Sequence, residues 1–170
     1  EQVRVWGWTS VLRGRLREWL VEGGLDGQWN RVASSATGTD IVTGAQSVAQ
    51  TRYADGGSSM NTWGAFASAQ RNLGSHEFRG GLRYSHAAVL ASFVDTTWMT
   101  LPDAEVNQQK GAWTASGSWT GPISPHWQAV TSVASGFRHP NVDDLGKVRE
   151  KGGFVLVPNA DLKPEYLYTA

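Results

Sequence analysis

Residues 19–30 read Trp-Leu-Val-Glu-Gly-Gly-Leu-Asp-Gly-Gln-Trp-Asn. The odd positions are Trp19, Val21, Gly23, Leu25, Gly27 and Trp29, and the even ones from 22 are Glu22, Gly24, Asp26, Gln28 and Asn30. This is period-two alternation, the pattern of a strand with one apolar and one polar face. A helix would scatter these residues over every face, and its glycines would weaken it further. The two tryptophans share a face ten residues apart, about 33 Å along a strand at about 3.3 Å per residue. A strand tilt of about 40° projects that onto about 25 Å, the height of the apolar band between the aromatic girdles of a membrane barrel.

Working outward, Trp127 and Phe137 repeat the ten-residue spacing, with Ala129, Thr131, Val133 and Ser135 between them. In 112–120, Trp113, Ala115, Gly117 and Trp119 alternate with Thr114, Ser116, Ser118 and Thr120. In 77–84, Phe78, Gly80, Leu82 and Tyr84 alternate with Glu77, Arg79, Gly81 and Arg83. In 61–70, Trp63 and three alanines alternate with a polar face that Phe66 interrupts. Residues 3–12 are ambiguous, because Val3 and Val5 favour one face and Trp6 and Trp8 the other. Short turns are expected at 14–17, 72–75 and 121–125, and long polar loops at about 35–60, 95–111 and 139–164. Short turns at one end and long loops at the other are the habit of a transmembrane barrel. Six strands are expected, with a seventh starting near Tyr166.

Composition fits. Gly, Ala, Ser and Thr together make 66 of 170 residues, beside nine tryptophans. Only two residues are isoleucine, whereas the core of a soluble sandwich favours bulky aliphatics. Fifteen basic and fifteen acidic residues cancel, so no basic face for nucleic acid is expected. The absence of cysteine excludes a disulfide scaffold and cysteine-based zinc or redox sites. No apolar run is long enough for a spanning helix, which leaves strands free to span. The chain opens on Glu1 without a signal peptide, and the expectation is an internal piece of a longer polypeptide.

Residues 135–146 read Ser-Gly-Phe-Arg-His-Pro-Asn-Val-Asp-Asp-Leu-Gly, and 157–165 read Val-Pro-Asn-Ala-Asp-Leu-Lys-Pro-Glu. This pair of phrases resembles the barrel of TonB-dependent outer-membrane receptors. There a strand ends in a phrase like "GFRAPN", and a second phrase, "NPxLKPE", opens the next strand. Here His139 stands where Ala is usual and Ala160 where Pro is usual. Tyr53-Ala54-Asp55-Gly56 and Gly81-Leu82-Arg83-Tyr84-Ser85 are also similar to the family, so the resemblance covers most of 50–170. It implies an all-β fold, an antiparallel transmembrane β-barrel segment of about six or seven strands from a 22-stranded wall. Residues 1–170 would be part of that one barrel domain, with the plug domain and the barrel's C-terminus absent. The function implied is import of a scarce nutrient (an iron chelate such as a siderophore, haem, cobalamin or a glycan) across the outer membrane of a Gram-negative bacterium. Implied partners are outer-membrane lipid, the small-molecule nutrient and, through the missing plug, the TonB complex that supplies the energy.

The candidate ligand-binding residues are Arg138, His139, Asp143 and Asp144. His139 is either a ligand contact or a plain loop residue. Haem-importing members can carry an iron-ligating histidine between the two phrases, and Asn141 to Val157 holds none. Asp143 and Asp144 either bind a cation or grip a ligand, or they shape the loop. Arg79, Arg83 and Arg138 either form a basic lumen path for an anionic chelate or pair with Glu77 or with plug carboxylates. Lys163 and Glu165 are placed to pair at the rim. His76 and His126 fall beside turns and are expected to be solvated. The expected lipid-facing girdle is Trp19, Trp29, Trp63, Trp113, Trp119, Trp127 and Phe137. No metal spacing, cofactor fingerprint, nucleophile–base pair or carboxylate dyad stands out, so neither cofactor nor enzyme chemistry is expected. The alternative is a soluble secreted β-sandwich that binds carbohydrate through its tryptophans. The barrel reading expects Trp19→Lys or Val21→Lys to disrupt membrane assembly and Asp26→Lys to be milder.

Overall fold

The computed structural model describes residues 1–97 and 100–170; Trp98 and Met99, inside the expected 95–111 loop, lie outside the described residues. In chain order the elements are β1 (Gln2–Leu16), β2 (Trp19–Ala33), β3 (Thr37–Thr39), β4 (Gln46–Val48), β5 (Ser58–Leu73) and β6 (His76–Ser92). Then come β7 (Glu105–Ser124), β8 (Trp127–Arg138), α1 (Val142–Leu145), β9 (Arg149–Lys151), β10 (Phe154–Leu156) and β11 (Glu165–Thr169). Six long strands and the short β11 form one antiparallel sheet in the order β1-β2-β5-β6-β7-β8-β11. Its two edges are not joined to each other, and a sandwich would need a second large sheet packed on the first. β3–β4 and β9–β10 are small separate hairpins.

Register settles what alternation left open. Directly paired residues of an antiparallel sheet lie on the same face. Trp6 pairs with Trp29, Trp8 with Gly27 and Leu16 with Trp19. The even residues of β1 therefore share the face of the odd residues of β2. Val3 and Val5 pair with Val32 and Asn30 on the opposite, polar face. The same logic carries the aromatic face through Trp63, Tyr84, Trp113, Phe137, Tyr166 and Tyr168. Phe66 stands on the polar face, where the Arg83 guanidinium lies over its ring.

Two aromatic rims emerge on the one face. Toward the long loops, Trp6 touches Trp29 with ring centroids 4.9 Å apart. Trp63 meets Tyr84 at 5.3 Å, Tyr84 meets Trp113 at 5.1 Å, and Phe137 meets Tyr166 at 5.6 Å. Toward the short turns, Trp19, Arg71, Phe78 and Trp119 form one cross-strand row, with Trp127 at the start of β8. Between the rims the face is small or aliphatic: Val21, Gly23, Leu25, Ala65, Ala67, Leu82, Ala115 and Gly117.

Three two-residue turns join the hairpins, at Arg17-Glu18, Gly74-Ser75 and Pro125-His126. Gly74 adopts φ +60°, which a residue without Cβ takes at no steric cost. The third turn lies later than the 121–125 expected. β7 carries Pro122 inside the strand, and a register irregularity between Pro122 and Ser124 accommodates the missing N–H donor. The long loops are also shorter than expected, because β5 begins at Ser58 and β7 at Glu105. His76 is half-buried and not fully solvated: its ring stacks on Trp119, with centroids 5.8 Å apart.

A core sits at the long-loop end, on the polar side of the sheet. Val89 and Ala91 from β6 and Val106 from β7 pack with Ala54, Phe93, Leu101, Val142, Leu145 and Val148 from the loops. The loop 139–164 thus folds back over the sheet and carries its own structure. Gly146 makes the fit possible, since a Cβ there would meet the Ala91 Cβ at 2.8 Å. Leu145 is fully buried. Leu145→Ala is expected to cost this loop core about 2–5 kcal/mol. Hydrogen exchange should show lost protection at the α1 amides with the β5–β6 ladder unchanged; unchanged α1 protection would contradict the packing.

Candidate functional site

The two sequence phrases build the mouth of the polar face. β8 ends at Arg138, and β11 begins at Glu165, its direct cross-strand partner. Between them Asn141 caps α1. Its side chain accepts from the Asp144 amide at 3.0 Å, and the Asp144 carboxylate accepts from the Asn141 amide at 3.1 Å. This reciprocal capping box satisfies donors that a helix start leaves open. The same Asp144 carboxylate takes Arg138 Nη2 at 2.7 Å, and Arg138 Nη1 reaches Glu165 at 3.3 Å. Glu165 is therefore drawn to Arg138, not to Lys163. The structure brings Arg138 and Asp144 together and ties both phrases to one guanidinium.

Asp143 does a different job. Its Oδ1 accepts from Arg52 Nη2 at 2.8 Å and from the Tyr53 hydroxyl at 2.9 Å, and its Oδ2 from Lys147 Nζ at 2.7 Å. Three donors from two loops hold this carboxyl well below the usual range, at about 2, with the Lys147 bond the largest cause. Burial, followed by the bond to Asp143, pushes the Tyr53 phenol up. The backbone reinforces the junction: Val148 N–H donates to Arg52 O at 3.1 Å, and Asn159 N–H to Leu145 O at 3.0 Å. Sequence reading missed Arg52 and Lys147. The Tyr53-Ala54-Asp55-Gly56 phrase was the signal that this loop belongs to the mouth.

His139 is buried, 8 % exposed, and not a plain surface residue. Its Nδ1 lies 2.6 Å from the Pro140 carbonyl, and its ring sits edge-on to Phe137. Gln108, from β7, donates to the carbonyls of Ala160 at 2.8 Å and Leu162 at 2.9 Å, holding the second phrase against the sheet.

Below the mouth, the polar face is cross-linked by ion pairs. Arg79 pairs with Glu77 at 2.6 Å, and Arg13 pairs with Glu22. Arg83 reaches across β5 to Asp26 with two parallel bonds, 2.7 and 2.8 Å. Gly64 lies under that bridge, and a Cβ there would meet the Arg83 Cζ at 2.7 Å. Arg13, Arg79 and Arg83 are thus paired, and Asp26→Lys would break a bidentate pair and set two cations together. It is not the mild change expected from sequence. A groove of about 590 Å³ near the short turns is lined by Arg13, Glu22, Gln70, Arg79 and the serines 116, 118 and 132. No group of three or more His, Cys, Asp or Glu placed to hold a metal occurs among the described residues.

The sequence matches the family model for the TonB dependent receptor-like β-barrel over residues 3–170. The chain belongs to the TonB-dependent receptor β-barrel family. Among solved structures, the copper transporter OprC aligns with a TM-score of 0.77 at 18 % identity, over 98 % of this chain and 26 % of that one. At that identity the likeness shows the fold alone, and the chain spans about a quarter of that protein's length. No curated protein matches the chain. The open sheet is thus a stretch of TonB-dependent receptor barrel wall.

In this receptor segment Asp143 carries a pH signature. Its folded pKa is depressed, so its contribution to loop docking is complete above the unfolded carboxylate value. It is lost as pH falls from about 4 through about 2. The amide of Val148 is expected to stay protected at pH 5 and to open across that window. In Asp143→Asn it should exchange faster already at pH 7. Equal protection of wild type and variant at pH 7 would contradict the clamp.

Proposed function

We propose that this chain is part of the wall of an outer-membrane active-transport receptor, which takes up a small-molecule nutrient with energy transmitted by TonB through a plug domain. The observation that carries it is the sorting of one sheet into two environments. One face bears an apolar band bounded by two aromatic rims, as a surface against lipid requires, and the other bears paired charges and a serine-lined groove, as a wetted lumen does. On this reading Trp19, Trp29, Trp63, Trp113, Trp119, Trp127 and Phe137 face lipid, joined by Trp6, Trp8, Phe78, Tyr84, Tyr166 and Tyr168. The short turns point to the periplasm and the long loops outward.

Arg138, His139, Asp143 and Asp144 then lie at the outer mouth. The carboxylates of Asp143 and Asp144 are spent on holding the loop, so their role is to shape the entrance. Arg138 remains about half exposed and is the residue of the four best placed to meet an anionic cargo. The groove lined by Arg13, Glu22 and Arg79 offers hydrogen-bonding side chains to a plug domain seated in the lumen. The family's cargoes include iron chelates, haem, cobalamin and glycans. OprC is a copper transporter, and copper belongs on the same list as a candidate for this chain.

The test places a lysine on each face of β2 in the intact receptor. Leu25→Lys lies midway between Trp19 and Trp29 and should cost about 2–4 kcal/mol of membrane stability. Gln28→Lys, on the polar face and outside the ion pairs described, should insert and fold nearly as wild type. The readout is the heat-modifiable folded fraction in outer membranes. Equal effects at the two positions would contradict the assignment of faces.

A further inference from the structure

The sheet is split between β7 and β8 at its long-loop end. β7 stays paired with β6 up to the pair Glu105 and Ser92. Its pairing with β8 stops much lower, at Ser116 and Ala134. β8 nevertheless runs on as a strand to Arg138, held on its other side by β11. The next opposed residues are Ala115 and Ser135, and there a side chain replaces the ladder. Ser135 Oγ accepts from the Ala115 N–H at 2.9 Å and donates to the Ala115 carbonyl at 3.3 Å. Both backbone groups of Ala115 thus point toward β8. By the alternation of an antiparallel ladder, so do those of Trp113, Gly111, Gln109 and Asn107. Among the described residues none of these four has a backbone partner on that side. Gln109, Lys110 and Gly111 are exposed at successive positions, so water reaches this edge. The outer aromatic row is interrupted at the same place: Tyr84 touches Trp113, and contact resumes with Phe137 and Tyr166.

The residues themselves permit closure. Continued at the same register, the ladder would set Ala115 against Ser135, Thr114 against Gly136, Trp113 against Phe137 and Ala112 against Arg138. No proline and no like-charged pair falls in that stretch. Trp113 and Phe137 lie on one face, so their pairing would complete the outer row. What stands in the way is the mouth loop, which is pinned to both strands. Asp144 holds Arg138 at the end of β8. Gln108 on β7 holds the carbonyls of Ala160 and Leu162. The loop core, with Val106 of β7 packed among Val142, Leu145 and Val148, keeps both pins in place. We propose that β7 and β8 form a two-state seam: the docked 139–164 loop holds it open, and lifting of that loop lets it zip by up to four residue pairs. The backbone bonds of the zipped state replace those that Ser135 Oγ makes, so loop docking and seam closure compete. A ligand that displaces the loop therefore also shifts the seam, and the state of the mouth is carried into the wall.

The experiment uses cysteine pairs in the intact receptor, in outer membranes, oxidised with diamide and read by mass spectrometry of the linked peptides. Thr114→Cys/Gly136→Cys reports the seam. Ala115 and Ser135 would form a hydrogen-bonded pair, so Thr114 and Gly136 would form the closer kind, with Cα atoms about 4.5 Å apart when zipped and within disulfide reach. A Cβ on Gly136 meets nothing nearer than 3.7 Å, so the position accepts a side chain. Ser118→Cys/Ser132→Cys, the same kind of pair inside the closed ladder, is the reference. The reference pair should link fast in every background. The seam pair should link more slowly in the otherwise unchanged receptor. It should speed up about tenfold in Asp144→Ala, Gln108→Ala or Ser135→Ala, each of which removes a hold on the open state. Seam linking as fast as the reference in the otherwise unchanged receptor would overturn the open state. Equally slow linking with and without the three substitutions would overturn the competition with the loop. Neither result touches the assignment of lipid and lumen faces, which the lysine test on β2 decides separately.

Discussion

The constraint on which the rest depends is cross-strand register. A strand's side chains alternate with a period of two, so a one-residue slip in any pairing would send a whole strand's residues to the wrong face. From β1 to β8 the pairings keep the aromatic face continuous from strand to strand, across a sheet whose strands β2, β5 and β6 satisfy their backbone groups on both sides. In hydrocarbon that satisfaction is obligatory, because an unpaired N–H or C=O there finds no water. The rims and the polar-face ion pairs follow from these registers.

Small residues are what make the registers usable. Gly64 lets Arg83 cross β5 to Asp26, and Gly27 leaves room for the Trp8 ring, whose Nε1 would lie 2.7 Å from a Cβ there. Gly111 does the same for Tyr84. The abundance of glycine and alanine beside tryptophan is therefore a packing requirement: large rings lie flat along the sheet only where a neighbour has no side chain to obstruct them. At the mouth the logic changes. The loop core is apolar and Asp143 and Arg138 act as cross-links, so the entrance holds its shape through tertiary contacts and not through strand pairing.

Much of this was legible in the residues. The alternation in 19–30 and 127–137 located two strands and both rims, because ten-residue aromatic spacing has few other uses. The phrases around Phe137 and Pro164 located the loop between β8 and β11. The faces of β1 were not legible, since valines and tryptophans compete there and only pairing with β2 decides. The turn after β7 was misplaced because Pro122 reads as a breaker, whereas a local irregularity absorbs it. The partners of Asp143 were out of reach as well: Arg52 and Tyr53 lie about ninety residues away, and no local pattern encodes that encounter. His139 is a loop residue, as read, but its burial was not legible, because a folded-back loop leaves no periodic trace.

The most direct measurement exploits the absence of native cysteine in this chain. Single cysteines placed at each position from 19 to 29 of the intact receptor, in outer membranes, are labelled with a fluorophore and exposed in turn to a lipid-soluble and a water-soluble quencher. The account predicts strict alternation, with odd positions quenched from the lipid and even positions from water. Uniform access to the water-soluble quencher along the whole strand would contradict it.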